Sequence, residues 1–437
     1  MSQPQSVVTY VERAAHLRPI TGELSRKESH ARVLSGSIIM LLSTSLVSVL
    51  NFAFNVSMAR MLGPAQFGHI TAAVTILMLA SAITLAFQMV CAKFVARNDT
   101  VGEKVSVYRS LRGKAWVVSL GVGAALLIST KPISAYLHIP DPWLLAVLAI
   151  GVAAYVPLGV RRGAMQGVCS FGRLSGNFII EALVKLLIAI FLVALGYGVM
   201  GAVGAISGSI LAAHFFPPMG SLFGTKPKTA HQPASFHEGM QATVFFVGQV
   251  IINNIDILLV KHFFAPDLAG VYAAVALVGR VLYFAAWSVV SAMFPVSAAA
   301  KPREGDGNVI LVPLLFVLAI SIIFIMAASF FPDLIINTIF GGKFSESGSL
   351  LTLYAAATSL YALSVVLMTY EMSRRIANTG WLQLIFSGIL VVAIGIFHNT
   401  LRQVIVVQIV LMAALLLLVS FPFFRRYKQI LVPQETT

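Results

Sequence analysis

Residues 51–73 read NFAFNVSMARMLGPAQFGHITAA, and residues 253–274 read NNIDILLVKHFFAPDLAGVYAA. Asn51, Pro64, Gly68 and Ala72 of the first stretch recur 202 positions later as Asn253, Pro266, Gly270 and Ala274. Each stretch runs from the end of one apolar segment into the start of the next, and each lies near the beginning of its half of the chain. The pattern predicts two related halves. Between them, SLFGTKPKTAHQPASFHEG is rich in Pro, Gly, Ser and Thr and has no apolar period, which marks a linker.

The composition says what those halves are made of. Of 437 residues, 58% are hydrophobic and 11% charged, and the mean hydropathy is +0.89. A soluble domain carries about 25% charged residues, so soluble enzymes, nucleic-acid binders and disordered scaffolds are excluded. Twelve apolar segments approach the length of about 20 residues that crosses a bilayer as a helix. They span roughly 33–59, 67–92, 115–131, 143–160, 174–195, 199–216, 240–262, 268–292, 309–330, 348–370, 379–398 and 402–422. Six spans per half is an even number, so both repeats enter the membrane in the same sense. Their symmetry axis then lies along the membrane normal.

The expected fold is an all-α integral membrane protein of twelve transmembrane helices in two six-helix bundles. Its parts are a tail over 1–32, a bundle over 33–219, a linker over 220–236, a second bundle over 237–424 and a tail over 425–437. Lys and Arg divide 23 to 5 between the two sides, with Lys185 and Arg280 inside spans. Basic residues are retained in cytoplasmic loops, so both termini are expected there, and the net charge of +14 needs no nucleic-acid partner. Residues 1–32 are polar and mixed in charge, and read as a cytosolic tail rather than a signal peptide.

Several chemistries find no support. Cys91 and Cys169 are far apart and suggest neither a disulfide nor a metal site. The nine histidines do not cluster; His214 reads as a packing residue. Gly196, Gly198 and Gly201 spell GxGxxG, but a dinucleotide site needs a strand before the motif, and here it is a turn between spans. No cofactor is expected. The short outer loops also argue against a membrane glycan polymerase or ligase, which needs a sizeable external loop for its catalytic residues.

The segment Ala59-Arg60-Met61-Leu62-Gly63-Pro64-Ala65-Gln66-Phe67-Gly68 resembles the A-R-x-L-G-P-x-x-F-G signature of Wzx-type polysaccharide translocases. These are flippases of the multidrug/oligosaccharidyl-lipid/polysaccharide exporter (MOP) superfamily. Asn253, Asn254, Asp256, Leu258 and Leu259 are similar to the family's N-N-x-D-x-L-L, and Gly270-Val-Tyr-Ala-Ala274 to its G-V-Y-A-A. Arg162-Gly163-Ala164-Met165-Gln166-Gly167 resembles R-G-x-x-Q-G, and Gly196–Ala202 the family's turn between helices five and six. The resemblance implies a V-shaped, MATE-like transporter in a bacterial inner membrane. Its cargo would be a polyprenyl-pyrophosphate-linked oligosaccharide for exopolysaccharide, capsule or O-antigen. A glycan polymerase and a chain-length regulator are implied as partners. The same superfamily contains the alternative, a proton- or sodium-coupled multidrug antiporter.

Candidate residues follow from the cost of burying charge, about 2.5–3.5 kcal/mol for each ionised group at a helix centre. Glu181, Lys185, Asp256 and Arg280 are therefore expected to face a cavity or one another. Glu181 and Lys185 are four apart with the acid first, the favoured order for a same-face pair, and Asn177 extends the stripe. Gln249, Asn253 and Asp256 share a face of the seventh span. Thr44, Ser48, Asn51 and Asn55 stripe the first span, and Ser81, Thr84 and Gln88 the second. Such residues also glue helices together, but stripes on three spans suggest a wet central cavity. Arg280, Tyr283 and Trp287 share a face of the eighth span, where a guanidinium forks onto phosphate or neutralises Asp256. Arg60, Lys93 and Lys261 sit at span ends, as gate or phosphate contacts or as topology anchors. The four intramembrane charges sum to zero, a departure from the cationic cavity that the resemblance implies.

Overall fold

The computed structural model describes residues 22–218, 226–229, 240–299, 306–374 and 379–431. Those residues form fifteen α-helices and one 3-10 turn, Gly342–Ser347, and no strand. In chain order they are α1 (Gly22–Leu62), α2 (Pro64–Arg97), α3 (Val101–Ile128), α4 (Thr130–Tyr136), α5 (Trp143–Gly167), α6 (Phe171–Ala194) and α7 (Gly198–Ala213). The second half holds α8 (Met240–Ile252), α9 (Ile255–Phe263), α10 (Pro266–Ala299), α11 (Asp306–Phe330), α12 (Pro332–Phe340), α13 (Gly348–Arg374), α14 (Thr379–Ile396) and α15 (Leu401–Leu431). Most of the expected linker over 220–236 and the tail before residue 22 lie outside the described residues.

Nine helices among the described residues are long and apolar enough to cross a membrane: α1, α2, α3, α5, α6, α10, α11, α13 and α15. The sixth and eleventh expected spans are shorter apolar helices, Gly198–Ala213 and Trp381–Ile396. The seventh, expected as one span over 240–262, is instead broken into α8 and α9 at Asn253 and Asn254. The Asn253 side chain donates to the Gln249 carbonyl at 2.8 Å, and Asn254 to that of Val250 at 2.7 Å. The Asn254 N–H turns to the Ile251 carbonyl at 3.0 Å, which frees the Val250 carbonyl, and a carbonyl freed by a helix break inside a bilayer needs such a side-chain donor. Hydropathy over the whole span is blind to this two-residue interruption.

Within the first bundle, α2 packs on α5 through Gly159, Gly163 and Gly167. A Cβ at Gly163 would stand 2.3 Å from the Gln88 carbonyl oxygen, and one at Gly159 2.5 Å from Thr84 Cγ2. Small residues at this spacing let helix backbones approach where no water drives association. Gln88 Nε2 lies 3.3 Å from Gln166 Oε1 across the same seam. Ser81 and Thr84 are buried, so the polar stripe of the second span glues α2 to α5. A Gly163→Leu variant is expected to lose at least about 1–3 kcal/mol of stability through overpacking, read as a lowered unfolding temperature in detergent. Gly113→Ala, with nothing near its Cβ position and a better helix former in place of glycine, should not lower that temperature.

The two bundles meet through the repeat itself. A Cβ on Gly68 would lie 3.1 Å from the Pro266 carbonyl oxygen, and one on Gly270 only 1.9 Å from that of Pro64. The reciprocal contact, Pro64/Gly68 against Pro266/Gly270, is what a two-fold axis between the halves requires. Other cross-bundle contacts gather at the same end. Phe67 is fully buried with ring centroids 6.3 and 6.2 Å from those of Phe340 and Phe344. Arg60 donates to the carbonyls of Ile339, at 2.7 Å, and Thr338. His262 Nδ1 lies 2.7 Å from the Tyr136 carbonyl oxygen, and the two rings stack at 3.7 Å. This end of the molecule is closed.

Candidate functional site

Between the bundles lies a cavity of about 910 Å³, lined by α1, α2 and α6 on one side and by α8 to α12 on the other. Ser48, Asn51 and Asn55 of α1 line it, as do Lys185 of α6, Gln249 of α8, Asn253 at the break, and Arg280, Tyr283 and Trp287 of α10. Thr71 and Thr75 of α2 and the rings of Phe52, Phe54 and Phe284 complete much of the wall. The sequence stripes on the first, seventh and eighth spans thus converge on one chamber.

The charges are distributed differently from the sequence expectation. Glu181 pairs with Arg162 of α5, not with Lys185. Arg162 also donates through Nε to Asn177 Oδ1 at 2.7 Å and lies 4.0 Å over the Phe178 ring. Asn177 in turn donates to the Ala213 carbonyl at 2.7 Å. Glu181 and Asn177 therefore lock α6 to α5 and the end of α7, away from the cavity. Counting Arg162 among the loop residues hides it as a partner.

Lys185, released from that pair, donates to Asn51 Oδ1 and stands 5.1 Å over the Phe54 ring. Among the described residues it has no ion-pair partner. Asp256 also leaves the cavity. It is 2% exposed and accepts from Tyr272 at 2.8 Å, Tyr354 at 3.0 Å, Arg280 Nη2 at 3.1 Å and Gln408 at 3.4 Å. Tyr272, Tyr354 and Gln408 have no role in the sequence reading, because singly each resembles helix glue. Only the break at Asn253 and Asn254 aims Asp256 into the second bundle.

Arg280 belongs to both environments. It bonds Asp256 and, through Nη1, Asn254 Oδ1 at 3.4 Å, yet it lines the central cavity and its Nε is buried without a partner. Among the described residues, Lys185 and Arg280 are the charged side chains lining the chamber. The four charges still sum to zero, but their placement is uneven: both carboxylates are drawn into the bundles, Lys185 stands on the cavity wall with no ion-pair partner among the described residues, and Arg280 lines the wall while paired with Asp256. Beside them Gln249 Nε2 donates to the Tyr283 hydroxyl, Asn253 Nδ2 lies 3.2 Å from the Tyr361 hydroxyl, and Tyr283 stacks on Trp287 at 6.4 Å.

The remaining candidates lie elsewhere. Gln88 sits in the α2–α5 seam. Lys93 lies 5.8 Å from the Phe94 ring centroid and does not line the cavity. Arg60 bridges the closed end. Lys261 is buried there with no partner for Nζ among the described residues. His214 packs as expected, with Nε2 2.9 Å from the Ala154 carbonyl oxygen.

A family model described as polysaccharide biosynthesis protein matches residues 33–301, well over half of the chain. The chain belongs to that family. The fold of this polysaccharide biosynthesis protein is shared with solved transporters. It is similar to a MOP superfamily transporter from Pyrococcus furiosus at a TM-score of 0.59 and 16% identity, over 92% of this chain and 96% of that one. A MATE protein in complex with MaD5 gives 0.60 and 15%, over 91% and 96%. An inward-facing multidrug resistance MATE transporter gives 0.59 and 14%, over 90% and 99%. No curated protein sequence matches the chain. The family member described here is thus a multi-pass membrane protein of MATE-like fold.

Proposed function

We propose that this chain is a flippase that moves an undecaprenyl-pyrophosphate-linked oligosaccharide from the cytoplasmic to the outer face of a bacterial inner membrane. The observation that carries the reading is the cavity wall, whose charged members are Lys185 and the partly free Arg280. A pyrophosphate is a dianion or more, and charge-assisted bonds to ammonium and guanidinium groups are its strongest recognition. Tyr283, Trp287 and Phe284 offer ring faces suited to the apolar faces of sugars, while the polyprenyl tail stays in lipid. The lobes work by alternating access: with orientation taken from the Lys/Arg distribution, the closed Pro64/Pro266 end is the outer one, so the cavity serves the cytoplasmic side.

A cation antiporter fits the same wall less well. Lys185 repels a cationic drug, and the carboxylate that would bind a coupling ion, Asp256, already holds Arg280. The deciding experiment removes the protein from cells and locates the lipid-linked glycans. Accumulation of single repeat units on the cytoplasmic leaflet is the expected result. An unchanged pool together with raised sensitivity to cationic drugs refutes it and favours the antiporter. The ion dependence of the unaltered protein sharpens the contrast: export independent of a sodium gradient is expected of the flippase, whereas drug efflux that follows a sodium or proton gradient would mark a coupled antiporter.

A further inference from the structure

At the other end of the first bundle, α3, α5 and the end of α7 bring arginines together. Arg112 lies on α3, with its guanidinium 6.0 Å from the centroid of the Tyr108 ring. Arg161 lies on α5 and donates to the Pro217 carbonyl, while its Nε is buried and has no partner among the described residues. Ser119 of α3 donates to the Val152 carbonyl at 2.8 Å and accepts from the Val156 N–H at 3.3 Å, and two turns from that contact the antiparallel α3 and α5 bring Arg112 and Arg161 to one level. Next to this level His214 stacks its ring at 5.9 Å on Trp116, one turn after Arg112 on α3. Glu181 answers Arg162; Arg112 and Arg161 have no carboxylate within 4.0 Å among the described residues.

Loop arginines that serve only topology gain by pointing separately into water. Here two converge without a counter-ion, one of them half-buried, where the apolar run of α3 begins at Ala115. Phe215 and Phe216, 73% and 54% exposed, stand beside them at the level where aromatic rings meet lipid head groups. None of these residues lines the central cavity. Basic pockets between membrane helices on the cytoplasmic side suit anionic lipid head groups.

We propose that Arg112 and Arg161 form a binding site for the phosphate head group of an anionic phospholipid of the cytoplasmic leaflet, with Phe215 and Phe216 against its acyl chains. The site is separate from the substrate cavity and depends on the orientation given by the Lys/Arg distribution, not on the identity of the cargo. The lipid supplies the missing counter-charge and ties α3, α5 and α7 together.

The test uses the full-length protein in zwitterionic detergent, titrated with phosphatidylglycerol, phosphatidylcholine or inorganic phosphate. Bound lipid is counted by native mass spectrometry, and protection is followed by thermal unfolding. Phosphatidylglycerol is expected to bind and protect, whereas phosphatidylcholine and phosphate are not. One basic residue at an anionic surface is worth about fivefold in affinity, so Arg112→Gln should weaken binding by about fivefold and R112Q/R161Q by about 30-fold. Lys343→Gln, at the closed end, should change nothing. Arg112 is exposed, so its single variant carries the test even where Arg161→Gln impairs folding. Equal affinity of wild type and Arg112→Gln overturns the proposal. Equal binding of phosphatidylcholine also overturns it, and protection by phosphate alone reassigns the site to a small anion.

Discussion

A Gly270→Ala variant is expected to insert and fold but to lose most of its export. The added Cβ would lie 1.9 Å from the Pro64 carbonyl oxygen, against an ordinary contact of at least 3.4 Å, so the starts of α2 and α10 must move apart by about 1.5 Å. Packed interiors do not absorb such a shift at backbone atoms. Within α10 itself alanine is the better helix former by about 1 kcal/mol, so the helix is not weakened; what fails is the joint between lobes. Gly68→Ala is the internal comparison: its Cβ would meet Pro266 O at 3.1 Å, a contact that a few tenths of an ångström relieves, so its effect should be much smaller. The measurement pairs glycan export with labelling of a Phe67→Cys probe in a Cys169→Ser background, using a membrane-impermeant thiol reagent. Phe67 is buried at the joint, so labelling should be slow without the alanine and fast with it. Normal export with slow labelling would show that the joint takes up the added methyl without opening and that the reciprocal contact is not the gate.

Lys185→Gln should reduce export by about 10- to 100-fold, the worth of one hydrogen bond to a charged group at about 1.5–3 kcal/mol. Lys185 is the more informative cation because it bonds a neutral partner, Asn51. Its removal orphans no carboxylate, so protein level and unfolding temperature should hold. Lys185→Arg keeps the charge and should retain most of the activity. Arg280 is harder to read: deleting it breaks a buried pair with Asp256, at a cost of about 3–5 kcal/mol. Its loss therefore mixes folding with binding, and the double variant R280Q/D256N is the cleaner probe. Wild-type export by Lys185→Gln would remove the cationic wall as the basis of substrate binding.

The two predictions divide along the line between what is legible in a sequence and what is not. The repeat at Pro64/Gly68 and Pro266/Gly270 is visible as matched residues at one offset, and so is the helical, membrane-spanning class, because hydropathy and helix length are local quantities. The polar stripes on the first and eighth spans are also legible: a side chain's face follows from its number and the helical period, and Ser48, Asn51, Arg280 and Tyr283 do reach the cavity.

Partners, by contrast, are chosen in three dimensions. Spacing offers Glu181 to Lys185, but Arg162, 19 positions away on another helix, takes it. The stripe of Ser81, Thr84 and Gln88 has the same period as the stripe of α1, yet α5 covers it because its glycines admit a closer backbone. Asp256 follows the break after Asn253 into the second bundle, where Tyr272, Tyr354 and Gln408 wait from three other helices. The sequence by itself determined the helical, membrane-spanning class, the repeat and, for unbroken spans, the faces that polar residues occupy. Only the tertiary structure decided which of the charges meet, since electrostatic pairing depends on distance through space, and with it the sign of the cavity.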